Sequence, residues 1–229
     1  MISRWMPLLA ALALPLPLVA QAEPLMPLMT VGTAFSVDSG AELYSEWHYC
    51  QEDLRMCEVE YRDPTGKLIA FKSLDYRENM KGPALYMRDL RADLEHTLAV
   101  ETRDDVVVDA GFDNYVRTRW DDLLAGEDVV FPFRVVGIDR PVKMKAAVRS
   151  DVDCPAELLC VRVAVKSWFL GLIADPIDVS YSRDERQLMR FAGLSNLRDE
   201  EGKTEAVDIR FDYSERPRPS DALSHLRDR

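Results

Sequence analysis

The sequence is poor in histidine, and its few histidines are not spaced for common metal or catalytic chemistry. Three occur in 229 residues, at positions 48, 96 and 225. No two are four residues apart, the spacing that would place two zinc ligands on one helical face. Gly193–Ser195 lacks the second glycine of the G-x-S-x-G hydrolase elbow. We interpret that fragment as a turn to which Asn196 contributes.

Adjacent carboxylates are the other candidates for acid–base chemistry. They occur at Asp104–Asp105, Asp121–Asp122 and Glu200–Glu201. The chain has 40 acidic residues, so such pairs arise by chance. An acid–base role would also need burial that raises one pKa. We therefore expect no catalytic residue, no metal site and no cofactor, and a binding protein is favoured over an enzyme.

Long apolar runs are absent except at the N-terminus. Arg4 precedes an apolar run over Trp5–Val19, and the small-x-small sequence Ala20–Ala22 follows it. These three parts predict a cleavable signal peptide over residues 1–22. The alternative is a transmembrane anchor, but the run is short for a bilayer and two prolines interrupt it. We expect a soluble protein in the periplasm, with release into the medium as the alternative.

The formal net charge is −11. Nucleic acids and anionic lipid surfaces attract clustered lysine and arginine. An acidic chain without basic blocks therefore argues against both as electrostatic partners, and nucleic acid is not an expected ligand.

Four cysteines, Cys50, Cys57, Cys154 and Cys160, form an even set of the kind that exported proteins use for disulfides. Three pairings are possible, and sequence proximity favours Cys50–Cys57 and Cys154–Cys160. Zinc binding and redox activity are less favoured alternatives, because neither pair has the Cys-x-x-Cys spacing.

Apolar and polar residues alternate with a period of two over much of the chain, which predicts an antiparallel sheet with one solvated face. Asp63–Gly66 fits a type I turn between two strands. The predicted strands are Glu42–Tyr49, Cys57–Arg62, Lys67–Tyr76, Leu85–Leu94, Thr97–Thr102, Val106–Val108, Val129–Val135, Val142–Arg149, Leu159–Lys166, Ile177–Tyr181, Gln187–Phe191 and Val207–Tyr213.

One amphipathic helix is predicted over Asn114–Leu124, where apolar residues recur at helical spacing. Asp113 is the expected N-cap, and Gly126 the residue that ends the helix. Arg117 and Asp121 are expected to pair on its surface.

The predicted fold is mainly β: a curved antiparallel sheet or partly open β-barrel with one amphipathic helix packed on it. A single β-rich domain is expected over residues 23–213. Residues 214–229 are charged and contain two prolines, and they are expected to be a disordered tail.

The segment 167–174, Ser-Trp-Phe-Leu-Gly-Leu-Ile-Ala, is bulky and apolar between two strands. Exposed apolar patches mark binding surfaces. A short buried crossing is the alternative interpretation. If the segment binds a ligand, the side chains expected to line the site are Trp168, Phe169, Leu170 and Leu172, with Trp120 from the helix.

Three stretches of the chain resemble an uncharacterised exported family of proteobacteria. They are Tyr61–Pro64 through Leu68–Ala70 to Leu74–Tyr76, Gly111–Asp113 through Val116–Arg117 to Trp120, and Arg190–Leu197. The resemblance spans most of the predicted domain and implies no activity. The predicted architecture is also loosely similar to periplasmic lipoprotein carriers of the LolA/LolB type, on strand pattern alone.

Three functions remain open at this point. The first is a periplasmic carrier for an apolar ligand such as a lipid or acyl chain. The second is an envelope protein that binds another protein and no small ligand. The third is an envelope hydrolase of unfamiliar design, which would need a nucleophile and a base brought together by the fold.

Overall fold

The structure is a computed structural model that describes residues 26–136, 140–151, 153–166, 175–199 and 201–214. The predicted signal peptide, the 167–174 segment and residues 215–229 of the predicted tail lie outside these ranges. The first seven strands are β1 (Leu28–Ser36), β2 (Glu42–Cys50), β3 (Met56–Arg62), β4 (Leu68–Asp75), β5 (Ala84–Asp89), β6 (Leu94–Leu98) and β7 (Val107–Val108). Two helices follow, α1 (Gly111–Thr118) and α2 (Trp120–Leu124). The remaining strands are β8 (Val129–Arg134), β9 (Val142–Val148), β10 (Leu158–Val165), β11 (Ile177–Ser182), β12 (Leu188–Arg198) and β13 (Thr204–Asp212).

The described strands form one curled, unclosed sheet in the order β6-β5-β4-β3-β2-β1-β13-β12-β11-β10-β9-β8-β7. Almost every strand pairs with its neighbour in the chain, and β1 pairs with β13 in the middle. All pairings are antiparallel except β7 with β8. The two edge strands, β6 and β7, are consecutive in sequence. The predicted mainly β fold, a curved sheet carrying helical structure, is therefore confirmed.

The chain between the two edge strands ties one edge of the sheet to the other through Glu101. The Glu101 carboxylate lies 2.9 Å from Arg134 of β8 and also binds Arg103. Its amide N–H donates to the Gly82 carbonyl at 2.9 Å, and its carbonyl accepts from the Asn79 amide at 2.7 Å. Gly82 and Asn79 precede β5, so Glu101 connects the β5–β6 edge of the open sheet to β8 at the other edge.

Two clusters of buried apolar residues lie on the same face of the sheet. The first lies among β1–β5, β12 and β13, with Tyr44, Tyr61 and Met87 at its centre. The second lies among β8–β11 and packs against the helices through Val116, Trp120 and Leu123. This shared face is the concave face of the curl.

The turn at Asp63–Gly66 joins β3 to β4, as predicted. Gly66 N–H donates to the Asp63 carbonyl at 2.8 Å, and Gly66 has a positive φ of 88°. The Asp63 carboxylate accepts hydrogen bonds from the amides of Thr65 and Lys67. An aspartate that accepts from amides two and four residues ahead pre-shapes such a turn.

Both predicted disulfides are present. Cys50 and Cys57 are directly opposite each other in the β2–β3 ladder, with Cα atoms 4.1 Å apart. Cys154 in the β9–β10 loop bonds to Cys160 of β10. The first disulfide therefore cross-links the two strands of a hairpin, and the second links a loop to one strand.

The helical segment begins earlier than predicted and is divided in two. α1 begins at Gly111, where a Cβ would lie 2.1 Å from the Lys81 carbonyl oxygen, so only glycine permits this close approach. Asp113 therefore lies within the first turn and is not the N-cap, which is Ala110. Arg119, with φ −108°, separates α1 from α2.

The ion pairs on the helices also differ from the prediction. Arg117 pairs with Asp113, at 2.6 Å, and not with Asp121. The break at Arg119 interrupts the helical spacing between Arg117 and Asp121. The predicted ending is confirmed: Gly126 has φ 79°, and the amides of Gly126 and Glu127 donate to Leu123 and Asp122 in a Schellman motif.

Two predicted boundaries within the sheet are wrong. The turn placed at Gly193–Asn196 is part of β12, which runs on to Arg198 because the Ser195 hydroxyl and the β13 ladder hold it there. The chain turns between β5 and β6 at residues 90–93, earlier than predicted. Asp89 causes this turn by accepting hydrogen bonds from the amides of Arg91 and Ala92.

We expect Gly111→Ala to lower the free energy of unfolding by about 3 kcal/mol, because the new methyl group would overlap a backbone carbonyl that cannot rotate away. Urea unfolding of the purified protein measures this effect. Gly40→Ala is the control, since Gly40 has φ 71° and open space around it and should cost about 1 kcal/mol. Equal losses in the two variants would contradict the proposed close approach.

Candidate functional site

The residues predicted to line a ligand site are only partly placed by the structure. Trp168, Phe169, Leu170 and Leu172 lie outside the described residues. Trp120 is 3% exposed and packs edge-on against Tyr181, with ring centroids 6.1 Å apart. It is therefore a core residue of the second cluster, not part of an open surface.

A row of partly buried apolar side chains lies where four neighbouring strands reach the same end of the curl. We call this row the apolar rim; it consists of Phe133 of β8, Val142 of β9, Val165 of β10 and Ile177 of β11. Phe133 and Val142 are directly opposite each other, and Ile177 is opposite Val163, one same-face position from Val165. The rim therefore continues the concave core to the sheet end, where it remains partly accessible.

Aromatic rings extend the apolar rim toward α1. Phe133 lies edge-on to Phe131 at 6.2 Å and to Phe112 at 6.1 Å. Tyr115 lies 4.8 Å from Phe131. Phe131 is buried, whereas Phe112, Tyr115 and Phe133 each keep partial exposure. This end of the concave face therefore presents rigid apolar surface with little conformational entropy to lose on binding.

The 167–174 segment connects two strands that carry the apolar rim. It leaves β10 just after Val165 and enters β11 just before Ile177. The described residues that flank this bulky apolar segment therefore lie at the apolar rim.

A buried ion pair lies deeper on the concave face. Lys72 Nζ is 3.0 Å from Asp109 Oδ2, and the two side chains are 6% and 7% exposed. Asn196 Nδ2 donates to the other oxygen of Asp109 at 3.0 Å. Burial by itself would lower the pKa of Lys72, but the combined attraction of Asp109, Tyr61 and Glu46 raises that pKa. Lys72 is therefore held as an ammonium.

The sequence did not allow this pair to be identified, although its pattern indicates one of the two residues. Lys72 lies between Ala70 and Leu74 in the period-two pattern of β4, which points it toward the core. Asp109 gave no comparable signal, because its position depends on a left-handed backbone with φ 40°.

A serine, two tyrosines and Lys72 lie near one another on the concave face. Tyr44 and Ser195 are joined by a hydrogen bond of 2.8 Å, and the Tyr44 and Tyr61 rings are 6.0 Å apart. Burial raises the pKa of Tyr44 and of Tyr61. Both phenols and the Lys72 ammonium therefore keep their protons near neutral pH, so this arrangement supplies no base to activate Ser195.

A second polar group surrounds Asp113 of α1. Its Oδ1 atom and the Tyr181 hydroxyl are both buried and lie near each other, and neither makes a hydrogen bond of good geometry to a described residue. Burial raises the pKa of Asp113, and the nearby Arg117 and His48 lower it by less. Tyr213, whose hydroxyl donates to the Leu188 carbonyl, also faces this group, and burial with the Asp113 charge raises its pKa.

The described residues carry few features of metal-binding or membrane proteins. They contain no group of three His, Cys, Asp or Glu side chains able to hold a metal ion. No helix in the described ranges has the length and apolar character needed to span a membrane. The two disulfides fit an exported protein in an oxidising compartment.

Comparison with known protein families finds no match to this chain. Comparisons with curated proteins and with solved structures also find none. The resemblance to an exported proteobacterial family and the likeness to LolA/LolB-type carriers therefore stay predictions.

We expect Lys72→Met to lower the free energy of unfolding by about 3–5 kcal/mol, because it leaves Asp109 buried without its counter-charge. Adding Asp109→Asn should recover part of this loss, since asparagine tolerates the left-handed backbone and is neutral. Urea unfolding measures both effects. The control is Lys145→Met, which removes an exposed ion pair to Asp128 and should cost less than about 1 kcal/mol. If the change in the free energy of unfolding of the double variant equalled the sum of the changes for Lys72→Met and Asp109→Asn alone, the two groups would not interact.

Because the native pKa of Asp113 is raised, the native state binds that proton more tightly than the unfolded state, whose pKa is about 3.9. This carboxyl therefore lowers the free energy of unfolding as pH rises through the window above about 3.9. Asp113→Asn should stabilise the protein by about 1 kcal/mol at pH 7. The gain should vanish below about pH 4, where both states of the wild type are protonated.

Thermal unfolding from pH 3 to 8 tests this expectation for Asp113. Asp121→Asn is the control, because Asp121 is exposed on α2. Destabilisation by Asp113→Asn at pH 7 would show that the ion pair with Arg117 outweighs the effect of burial.

Proposed function

We propose that this protein is a periplasmic carrier that binds an apolar ligand, a lipid or acyl chain, on its concave face. Cleavage of the 1–22 segment as a signal peptide is part of the proposal. The disulfides support an oxidising location. The observation that carries the binding function is the apolar rim of Phe133, Val142, Val165 and Ile177, left partly exposed at one end of the sheet.

The size of the sheet supports the same proposal. Eight strands make a barrel just wide enough for side chains to fill, and larger barrels enclose ligand spaces or channels. This curl has 13 strands, with two short helices against its concave face. An acyl chain laid along the rim would cover apolar side chains that water now reaches, which is favourable by about 25 cal/mol for each Å² covered.

The polar groups of the concave face suit a passive binding site. Lys72 is paired with Asp109, and Asp113 with Arg117. A bound acyl chain therefore meets no uncompensated charge at these four side chains. Since Tyr44, Tyr61 and Lys72 supply no base to Ser195, these contacts favour binding over hydrolysis.

The first experiment is native mass spectrometry of protein purified from periplasm, followed by solvent extraction of bound material. We expect a discrete lipid mass in addition to the mass of the mature chain with two disulfides. A bare protein mass together with no saturable binding of a fluorescent fatty-acid probe would overturn the carrier proposal. Cross-linking in intact cells would then test the protein-partner alternative.

Variants of the apolar rim localise the site. Phe133→Ser and Ile177→Ser should each weaken probe binding about tenfold, because each removes apolar contact worth at least about 1.5 kcal/mol. Trp168→Ser with Phe169→Ser tests the connecting segment in the same assay. Val130→Ser is the matched control, since Val130 is 38% exposed on β8 and alternates in direction with Phe131 and Phe133. An equal loss in this control would place the ligand elsewhere.

A further inference from the structure

A hollow of about 270 Å³ lies away from the apolar rim, on the opposite, convex face of the sheet. Cys160, Ser180 and Arg190 line it and form one cross-strand row over β10, β11 and β12. The alternating row, which includes Val161 and Val179, belongs to the concave core cluster. Val179 also borders the hollow, but none of the four apolar-rim residues does, so ligand binding there does not depend on the carrier function.

Part of the charge that lines the hollow is already neutralised. Asp178 binds Arg149 at 2.7 Å and Arg162 at 2.8 Å. Arg149 also binds Asp151 at 2.8 Å. These groups form a closed network of two cations and two anions, so they offer a ligand little net attraction.

Two other charged groups of the hollow keep binding capacity. Arg190 uses only its Nε, which lies 2.6 Å from Asp208, and its two terminal nitrogens have no partner within the described ranges. Asp153 is exposed and makes no hydrogen bond or ion pair to any described residue. The hollow therefore carries one available guanidinium and one available carboxylate.

The Cys154–Cys160 disulfide restrains the loop that carries the Asp153 carboxylate. Cys154 directly follows Asp153, and its bond to Cys160 fastens the loop to β10 with Cα atoms 6.0 Å apart. Leu158 and Pro155 add apolar surface to the same hollow. Ser180 adds a hydroxyl whose contact within the protein is a weak one to the Cys160 sulfur at 3.6 Å.

We propose that this hollow binds a small zwitterion, a free amino acid or a dipeptide with an apolar side chain. The ligand carboxylate pairs with the terminal nitrogens of Arg190, a geometry for which the guanidinium fork is suited. The ligand ammonium pairs with Asp153, and the apolar side chain lies on Leu158 and Pro155. A volume of about nine water molecules limits the ligand to this size.

The affinity should be modest, since both charged groups are reached by solvent and such pairs are weak in water. We expect a dissociation constant on the order of 1 mM for leucine or leucyl-leucine. Chemical-shift titration of the full exported chain, with disulfides intact, measures it. N-acetyl-leucine, which lacks the ammonium, and leucinamide, which lacks the carboxylate, should each bind at least fivefold more weakly.

Matched variants assign the two charged groups. Asp153→Asn and Arg190→Gln should each weaken leucine binding at least fivefold. Glu157→Gln controls for the first, because Glu157 is an exposed carboxylate in the same β9–β10 loop and does not line the hollow. Arg210→Gln controls for the second, because Arg210 shares Asp208 with Arg190 and does not line the hollow. Both controls should bind leucine like the wild type.

Any one of the following outcomes would overturn the proposal. The first is equal binding of leucine, N-acetyl-leucine and leucinamide, or no binding of leucine at a concentration 20-fold above the expected dissociation constant. The second is unchanged binding in Asp153→Asn and Arg190→Gln, with circular dichroism showing both variants folded. The third is binding of phosphoethanolamine without leucine, which would assign the hollow to a lipid headgroup.

Discussion

The ion pair between Lys72 and Asp109 is the contact on which the arrangement of sheet and helices depends. Lys72 belongs to β4, next to the first core cluster, and Asp109 lies in the turn that leads into α1 and the second cluster. Asn196 of β12 holds the same aspartate. Three segments distant in sequence therefore meet at one carboxylate, where desolvation makes any misalignment costly.

The backbone around Asp109 is adapted to this role. A positive φ is uncommon for a residue other than glycine, and aspartate is among the few that tolerate it. The Asp109 amide donates to the Arg134 carbonyl at 3.2 Å, and its carbonyl accepts from Phe112 at the start of α1. The same residue thus ends β7, begins the helix and neutralises the buried lysine. Its geometry sets where α1 and its aromatic residues lie relative to the apolar rim.

Much of the fold could be predicted from local sequence patterns, because strands, turns and short disulfide loops depend mainly on residues near in sequence. The alternation in β2–β4, the turn at Asp63 and the Cys50–Cys57 pair were found this way. The errors come from distant contacts. Gly111 at the start of α1 lies against the Lys81 carbonyl, and Ser195 within β12 is hydrogen-bonded to Tyr44. Neither partner is visible in the sequence surrounding the element, and the strand order that forms the apolar rim is equally non-local.

The pairing of β1 with β13 has a consequence for the order of folding. Thr30 at the start of the sheet donates a hydrogen bond to the Asp212 carbonyl, 182 positions later. Each half of the sheet can assemble from sequential hairpins. The β1–β13 pairing that joins the two halves can form only after β13 has been synthesised. Contacts of such long sequence separation slow folding. One side of β1 therefore stays unpaired, as an open sheet edge, until β13 has been synthesised.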